Sequence, residues 1–279
     1  MALIDIKNLT FEYPGGLKPI FEDLNLQLDT NWKLAFIGRN GYGKTTFLKL
    51  LMDEYPYKGT IIKPVPMAYF PFKINDYDMM TLELLETLQP NFEFWKLQRE
   101  MNLIELDDEI LYRPFSTLSG GEQTKVLLAL LFAEEDRFLL IDEPTNHLDI
   151  HGRELVARYL ESKKGFILVS HDREFINSIV DHVLSIEKSK IVLQKGNYDT
   201  WEENKNLEDK YELEKNQKLR KEIRRLKESA RQKAVWSHKV EATKKGLGPV
   251  DRGYIGHKAA KMMKRSKTIE KRYEKAIEE

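Results

Sequence analysis

The sequence contains no cysteine among its 279 residues. That absence excludes disulfide bonds, thiolate metal sites and a cysteine nucleophile, and it fits a reducing compartment. Long apolar runs are also missing, since stretches such as residues 126–133 fall far short of the roughly 20 residues that span a bilayer. The first residues do not pair a basic segment with an apolar run, so they do not resemble a signal peptide. We therefore expect a soluble, cytoplasmic protein.

The chain also lacks net charge, because 45 Lys and Arg balance 45 Asp and Glu. The two signs are unevenly distributed. Residues 1–201 hold 22 basic and 31 acidic side chains, whereas residues 202–279 hold 23 basic and 14 acidic ones. This asymmetry predicts two parts with different tasks, which we place at 1–201 and 202–279.

Residues 1–201 alternate between strand-like and helix-like patterns. Leu24, Leu26 and Leu28 alternate with polar residues, and short apolar runs at residues 34–37, 138–141 and 166–169 precede polar turns and helical patterns. That order is typical of an α/β domain with a largely parallel sheet and helices on both faces.

Proline and glycine are absent from residues 202–245, which are rich in Glu, Lys, Arg, Leu and Ala. This composition, with opposite charges at helical spacing, predicts a long exposed helix. Breakers then concentrate at residues 246–256, and a second helical pattern starts at His257. We predict an antiparallel helical hairpin arm with its turn near 246–256.

Glycines mark the strongest motif, Gly38-Arg-Asn-Gly-Tyr-Gly-Lys-Thr45, which lies between an apolar strand and a helical run. Glycines let backbone N–H groups converge on phosphate oxygens, Lys44 neutralises phosphate charge, and the Thr45 hydroxyl can bind Mg²⁺. A glycine-rich helix cap is the alternative, but chance produces the full pattern in roughly one chain of this size in a hundred. The predicted ATP-binding residues of this motif are Gly38, Arg39, Asn40, Gly41, Gly43, Lys44, Thr45 and Thr46.

Two carboxylates, Asp142 and Glu143, follow the apolar run 138–141. The carboxyl end of a parallel strand faces the ligand crevice, so Asp142 can hold a magnesium ion and Glu143 can polarise the attacking water. Alone, such a pair would more often be a helix cap. Beside a phosphate loop it is typical of a Walker B motif.

The string Leu118-Ser-Gly-Gly-Glu-Gln123 resembles the signature of the ATP-binding-cassette (ABC) superfamily. A serine N-cap followed by glycines would produce the same string, and the two interpretations do not conflict. The resemblance implies a P-loop ABC ATPase domain, with a mixed sheet and a small helical subdomain, that uses ATP and Mg²⁺. It also implies that hydrolysis needs a second cassette, whose ATP would be contacted by Ser119, Gly120, Gly121, Glu122 and Gln123.

The same resemblance assigns further positions. Tyr13 lies where cassettes stack an aromatic ring on adenine, and Asn146 and Asp149 fall in the region that resembles the D-loop. His171 resembles the switch histidine that contacts the γ-phosphate, so the implied catalytic pair is Glu143 and His171. One position departs from the pattern, because Phe72 stands where cassettes normally carry a glutamine. A phenylalanine can neither ligate Mg²⁺ nor hydrogen-bond water, so we expect slow or differently coupled hydrolysis.

The runs Glu143-Pro-Thr-Asn-His-Leu-Asp149 and Gly196-Asn-Tyr-Asp-Thr-Trp201, followed by a charged arm, resemble ABC-F proteins. That family comprises soluble twin-cassette ATPases that act on ribosomes and have no membrane domain. The resemblance implies that the arm enters the ribosome and contacts rRNA and P-site tRNA. Residues 215–272 hold 20 basic and 5 acidic side chains, a density that favours phosphate contacts over a merely solvated face.

The arm and its tip resemble those of ribosome-protection members that confer antibiotic resistance. The arm residues implied to contact RNA are Lys244, Lys245, Arg252, Tyr254, Lys258, Lys261, Lys264 and Arg265. Alternatives are a housekeeping translation factor of the same family, the ATPase subunit of a transporter, and a module that binds ATP without turning it over. Because full members carry two cassettes, we expect either a truncated protein or a half-protein that forms homodimers.

Overall fold

The computed structural model of the protein describes residues 2–16, 18–187, 190–242, 254, 256–258, 260–261, 263–269 and 271. The chain divides into two compact units, Met1–Glu202 and Glu203–Glu279. The strands are β1 Leu3–Phe11, β2 Phe21–Asp29, β3 Lys33–Gly38, β4 Lys58–Ile62, β5 Met67–Phe70, β6 Phe138–Asp142, β7 Phe166–Val169, β8 His182–Glu187 and β9 Lys190–Lys195. The α-helices are α1 Lys44–Leu51, α2 Thr81–Leu88, α3 Phe94–Leu103, α4 Gly120–Ala133, α5 Ile150–Glu161, α6 Arg173–Ile179 and α7 Tyr198–Ala242.

The strands of the first unit form two sheets. The smaller sheet has the order β2-β1-β4 and is antiparallel. The larger has the order β5-β6-β7-β3-β8-β9, in which every neighbouring pair is parallel except the β8–β9 pair. The predicted α/β fold with a mixed sheet is therefore confirmed.

The central strands of the larger sheet are buried on both faces. In β3, Ala35 packs into one apolar cluster with the helices α2 to α6, whereas Phe36 packs into a second cluster that contains the smaller sheet and α1. Leu139 and Leu140 of β6 divide between the same two clusters. Successive side chains of a strand point to opposite faces, so burial of both faces explains why these strands are unbroken apolar runs in the sequence.

A small helical region lies between β5 and α4, as predicted. It consists of α2, α3 and two short 3-10 helices, Asp108–Tyr112 and Phe115–Thr117. Glu100 of α3 is 1% exposed and anchors this region to α5. Its carboxylate accepts a hydrogen bond from the Tyr159 hydroxyl at 2.7 Å, pairs with Lys163, and accepts one from Arg99 at 3.0 Å. A buried carboxylate with these partners is fully compensated.

Helix α7 begins at Tyr198, four residues before the long helix that composition predicts. The Asn197 side chain caps it by accepting from the Thr200 backbone N–H at 3.1 Å. Three hydrogen bonds join the start of α7 to α6: the Asn177 amide donates to the Asp199 carboxylate at 2.7 Å, the Asp199 backbone N–H donates to Asn177 Oδ1 at 3.1 Å, and Arg173 donates to Glu202 at 2.8 Å. The start of α7 is thus part of the first unit.

In the second unit, α7 is followed by a stretch whose described residues between 254 and 271 are helical. The buried Ser266 hydroxyl donates to the backbone carbonyl of Ala230 at 3.2 Å, so this stretch returns along α7 as the hairpin prediction requires. The turn predicted near 246–256 lies outside the described residues except for residues 254 and 256. None of the described helices combines the length and apolar character that a membrane span requires.

We predict that Lys163→Met lowers the free energy of unfolding by about 3 kcal/mol, because it removes a cationic partner from a buried carboxylate that keeps Arg99 and Tyr159. Urea denaturation checks the value. Lys164→Met, at the exposed neighbouring position, is the matched control and is expected to change stability by less than about 0.5 kcal/mol. Equal losses in the two variants would contradict the role of the Glu100 cluster.

Candidate functional site

The glycine-rich loop connects the end of β3 to the start of α1, in the strand-to-helix context that the sequence predicts. Gly41 and Gly43 have φ angles of 81° and 96°, in the left-handed region that glycine favours. A Cβ at Gly43 would also lie 2.6 Å from Ile20 Cγ2, whereas a Cβ at Gly41 would meet nothing within 4 Å. Glycine is therefore required at position 43 both by the backbone conformation and by the lack of space for a Cβ atom. At position 41 the backbone conformation alone requires it.

Lys44 lies folded back over this loop. Its Nζ donates to the Gly38 carbonyl at 2.7 Å and makes a longer contact of 3.5 Å with Asn40 Oδ1. Burial lowers the pKa of Lys44, although the nearby carboxylates Glu143 and Asp142 oppose that shift. The ammonium group thus has its carbonyl partner inside the loop, where a phosphate oxygen would offer it a stronger, charged acceptor.

Asp142 at the end of β6 accepts two hydrogen bonds on the same oxygen, Oδ2. The Thr45 hydroxyl donates to it at 3.2 Å and the Tyr69 hydroxyl donates at 3.0 Å. Burial is the main reason that the pKa of Tyr69 is raised, and the Asp142 charge adds to it. Residues 45 and 142, predicted as the metal-binding pair, are therefore in direct contact.

Glu143 adopts a φ of 52°, which is uncommon for a residue with a side chain and is typical of functional positions. Among the described residues, its Oε1 is the buried side-chain oxygen that has no hydrogen-bond partner. His171 Nε2 lies 3.4 Å from this oxygen, within ion-pair range. Burial raises the pKa of Glu143, although His171 opposes the shift. An unsatisfied carboxylate oxygen of this kind has capacity for a water molecule.

Tyr13 forms an aromatic face beside the loop. Its ring lies edge-on to Phe11 and Tyr55, with centroid distances of 5.0 Å and 5.6 Å, and its hydroxyl shares a 2.9 Å hydrogen bond with Thr46 Oγ1. The side chain is 38% exposed. This arrangement holds a flat surface in place for stacking.

These residues surround one cavity of about 430 Å³. Predicted residues from four places line this cavity: the glycine-rich loop, the end of β6, the turn after β7 and the N-terminal strand region. The predicted residues that line it are Tyr13, Asn40, Gly41, Gly43, Lys44, Thr45, Thr46, Asp142, Glu143 and His171. Gly38 and Arg39 do not line it; Gly38 instead supplies the carbonyl that Lys44 holds.

The signature string forms the start of α4. Ser119 is its N-cap, and Ser119 and Glu122 form a reciprocal capping box that lowers the pKa of Glu122. A Cβ at Gly120 would lie 3.0 Å from His147 Cβ, so the turn packs closely on the segment that contains Asn146. Asp149 caps α5 by accepting from the Gly152 N–H at 2.7 Å.

A second cavity, of about 440 Å³, opens beside the first and shares Thr45, Asp142 and Glu143 with it. Gly120, Gln123 and Asn146 line this second cavity, whereas Ser119, Gly121, Glu122 and Asp149 line neither of the two. Phe72 also lines the second cavity and packs against the main apolar cluster. The half-buried phenylalanine ring thus faces the same space as the two carboxylates.

The predicted RNA-contacting residues belong to the second unit. Lys244, Lys245 and Arg252 fall outside the described residues. The remaining five side chains are all exposed: Tyr254, Lys258, Lys261, Lys264 and Arg265.

Comparison with known proteins identifies the family. The family described as ABC transporter matches residues 21–146. ABC transporter F family member 5 of Arabidopsis thaliana is 32% identical over 237 residues, which cover 81% of this chain and 34% of that protein. Ribosome protection protein VmlR of Bacillus subtilis (strain 168) is 30% identical over 282 residues, covering 98% of this chain and 48% of that protein. The chain is an ATP-binding cassette of the ABC-F family.

The chain spans less than half the length of these two ABC-F relatives. A solved structure described as an inward-facing conformation of a metal-chelate type ABC transporter matches with a TM-score of 0.59 and 23% identity, over 69% of this chain and 82% of that one. That likeness shows the shared fold alone.

The residues of the ABC-F cassette fit a magnesium nucleotide. Thr45 and Asp142 offer the oxygen donors that Mg²⁺ prefers, and Glu143 presents an unsatisfied buried oxygen beside them. Among the described residues, no group of three or more His, Cys, Asp or Glu could hold a metal by itself. Magnesium commonly keeps several waters and takes one or two protein ligands together with phosphate oxygens, so Thr45 as a ligand and Asp142 acting through a water would be sufficient here.

Sequence reasoning missed Tyr69, which contacts Asp142, and the apolar walls Ile20 and Val169 of the first cavity. The Tyr69–Asp142 bond spans 73 residues of sequence. The only available signal was the position of Tyr69 near the end of a strand, which does not identify the neighbouring strand.

We predict that Phe72→Gln increases the rate of ATP hydrolysis by roughly tenfold, because an amide in this cavity adds one hydrogen bond worth about 1.4 kcal/mol in the transition state. Phosphate release at saturating ATP measures the rate.

Phe92→Gln is the matched control, since Phe92 is also half-buried against the main apolar cluster but lines neither cavity. An unchanged or lower rate in Phe72→Gln, or an equal rise in the control, would count against a role for residue 72.

Proposed function

We propose that this ABC-F cassette binds Mg-ATP and hydrolyses it to ADP and phosphate as part of a ribosome-binding protein. The observation that carries the proposal is the single cavity in which the phosphate loop, Asp142, Glu143 and His171 meet. A structural glycine turn would not need an unsatisfied buried carboxylate beside it. We assign ATP binding to residues 1–201 and ribosome contact to residues 202–279.

Each side chain of the cavity has a role that its geometry supports. Lys44 exchanges its carbonyl partner for phosphate oxygens, and the Tyr13 ring stacks on adenine. Thr45 and Asp142 would hold the magnesium ion, which neutralises charge on the phosphates. Glu143 accepts a hydrogen bond from the attacking water through Oε1, and His171, 3.4 Å away, contacts the γ-phosphate.

Turnover by this cassette requires a second cassette. Ser119, Gly121 and Glu122 line neither cavity, and the capping box uses the backbone N–H groups of Ser119 and Glu122. An anion at the N-terminus of α4 would therefore be bound by the backbone N–H groups of Gly120 and Gly121. We propose that this terminus contacts the ATP of an opposing cassette. The partner is either a second half of a longer protein or another copy of the chain.

The exposed basic residues of the second unit support RNA as the macromolecular partner, and hence a cytoplasmic location. Lys258, Lys261, Lys264 and Arg265 lie within one short helical stretch and are all exposed. Such a density of exposed cations is suited to phosphate contacts with rRNA and P-site tRNA. We propose antibiotic resistance through ribosome protection as the cellular role, with a housekeeping translation factor as the second candidate; the relative named a ribosome protection protein supports the ribosome-protection part of this proposal.

We predict that Glu143→Gln reduces ATP hydrolysis by about a hundredfold or more, because the amide cannot accept a proton from water. ATP affinity should change by less than about threefold, since the residue contacts water rather than the nucleotide. Phosphate release and calorimetric ATP binding measure the two quantities, with the exposed Glu86→Gln as control. Hydrolysis at the wild-type rate would rule out this role for Glu143.

Light scattering of the same variant with ATP distinguishes a homodimer from a chain that needs another cassette.

We also predict that the triple change of Lys258, Lys261 and Lys264 to Gln weakens co-sedimentation with ribosomes in the presence of a non-hydrolysable ATP analogue. The loss should be largest at low salt, because the lost contacts are electrostatic. The matched control changes three exposed lysines of the first unit, Lys58, Lys190 and Lys195, to Gln. Equal co-sedimentation of the two triple variants with ribosomes would rule out RNA contact by the arm.

A further inference from the structure

Tyr69 is the side chain that contacts the proposed metal site without belonging to any of its motifs. It lies on β5, the edge strand that pairs in parallel with β6, where Tyr69 is opposite Leu140. From that position its half-buried phenol reaches past the end of the pairing to Asp142 Oδ2 at 3.0 Å. The contact joins two neighbouring strands at the edge of the cavity.

Thr45 is the second hydrogen-bond donor to Asp142 Oδ2, and its geometry indicates what the Tyr69 contact can do. Thr45 has one hydroxyl hydrogen, and it points to Asp142 Oδ2 at 3.2 Å. A hydroxyl that donates its hydrogen keeps its lone pairs for a cation. Since both donors converge on Oδ2, the other carboxylate oxygen, Oδ1, is left to accept from a water molecule of a bound ion.

We propose that Tyr69 is a positioning residue for the magnesium ion that accompanies the nucleotide. By donating to Oδ2 it fixes the rotation of the Asp142 carboxylate, and through that carboxylate the orientation of the Thr45 hydroxyl. Outer partners of this kind orient metal ligands and are worth about 10- to 100-fold in metal affinity. The inference rests on the proposed function, because it needs a magnesium nucleotide in the first cavity.

The chain contains a second tyrosine–aspartate pair that separates this role from simple satisfaction of a phenol. The half-buried Tyr57 donates to Asp53 Oδ1 at 3.2 Å, and neither residue lines the first or the second cavity. Tyr57→Phe and Tyr69→Phe each delete one hydroxyl that donates to one aspartate. Only Tyr69→Phe affects a carboxylate beside the phosphate loop.

The test compares Tyr69→Phe, Tyr57→Phe and the wild-type chain by isothermal titration with a non-hydrolysable ATP analogue. Each protein is titrated once with excess Mg²⁺ and once in EDTA. We expect Tyr69→Phe to bind about tenfold more weakly in Mg²⁺ and to equal the wild type in EDTA. Tyr57→Phe should match the wild type under both conditions. This readout is equilibrium binding, so it does not depend on turnover.

The possible failures are distinguishable. A wild type that binds equally well with and without Mg²⁺ would remove the metal from the proposed function, and the role of Tyr69 with it. A wild type that needs Mg²⁺, together with a Tyr69→Phe variant that needs it equally, would overturn the Tyr69 inference alone. A loss of affinity of the same size in Mg²⁺ and EDTA, or in both variants, would assign Tyr69 a structural role instead.

Discussion

Burial of β3, β6 and β7 on both faces is the constraint from which the site follows. These strands run parallel at the centre of the larger sheet, so their carboxyl ends meet at one edge. Their interiors must be apolar, and the first polar positions available are those just beyond each strand. The phosphate loop, the Asp142–Glu143 pair and the His171 turn occupy these three positions. The chemistry is therefore concentrated where the apolar core ends.

The ionisable groups at this edge are adjusted by the same burial. Withdrawal from water lowers the pKa of Lys44 and raises that of Glu143, so each shift disfavours the charged form of its group. The opposite charges of Lys44 and Glu143 partly offset these two pKa shifts. A bound phosphate chain with its cation would bring charge of both signs into this region, so the phosphates would favour the charged form of Lys44 and the cation would favour the charged form of Glu143.

Local features of the fold could be predicted from the sequence, whereas contacts between distant segments could not. The strand at residues 34–37 and the helix that starts at Lys44 follow from apolar runs and glycines within one short segment, and both are present. The bond of Tyr69 to Asp142 depends on which strands are neighbours, and that of Tyr13 to Thr46 depends on where α1 lies relative to the loop after β1; no local pattern specifies either. The start of α7 at Tyr198 depends on the Asn197 cap, whose effect a composition count does not register. The unsatisfied oxygen of Glu143 likewise emerges only from three-dimensional packing.

Hydrogen bonds between α6 and the start of α7 fix the base of the long helix. Asn177 and Arg173 of α6 hold Asp199 and Glu202 of α7, and α6 begins two residues after His171. The base of α7 therefore packs directly on the helix that follows His171. The base of α7 is thus fixed, through three hydrogen bonds, to the helix that follows the histidine turn.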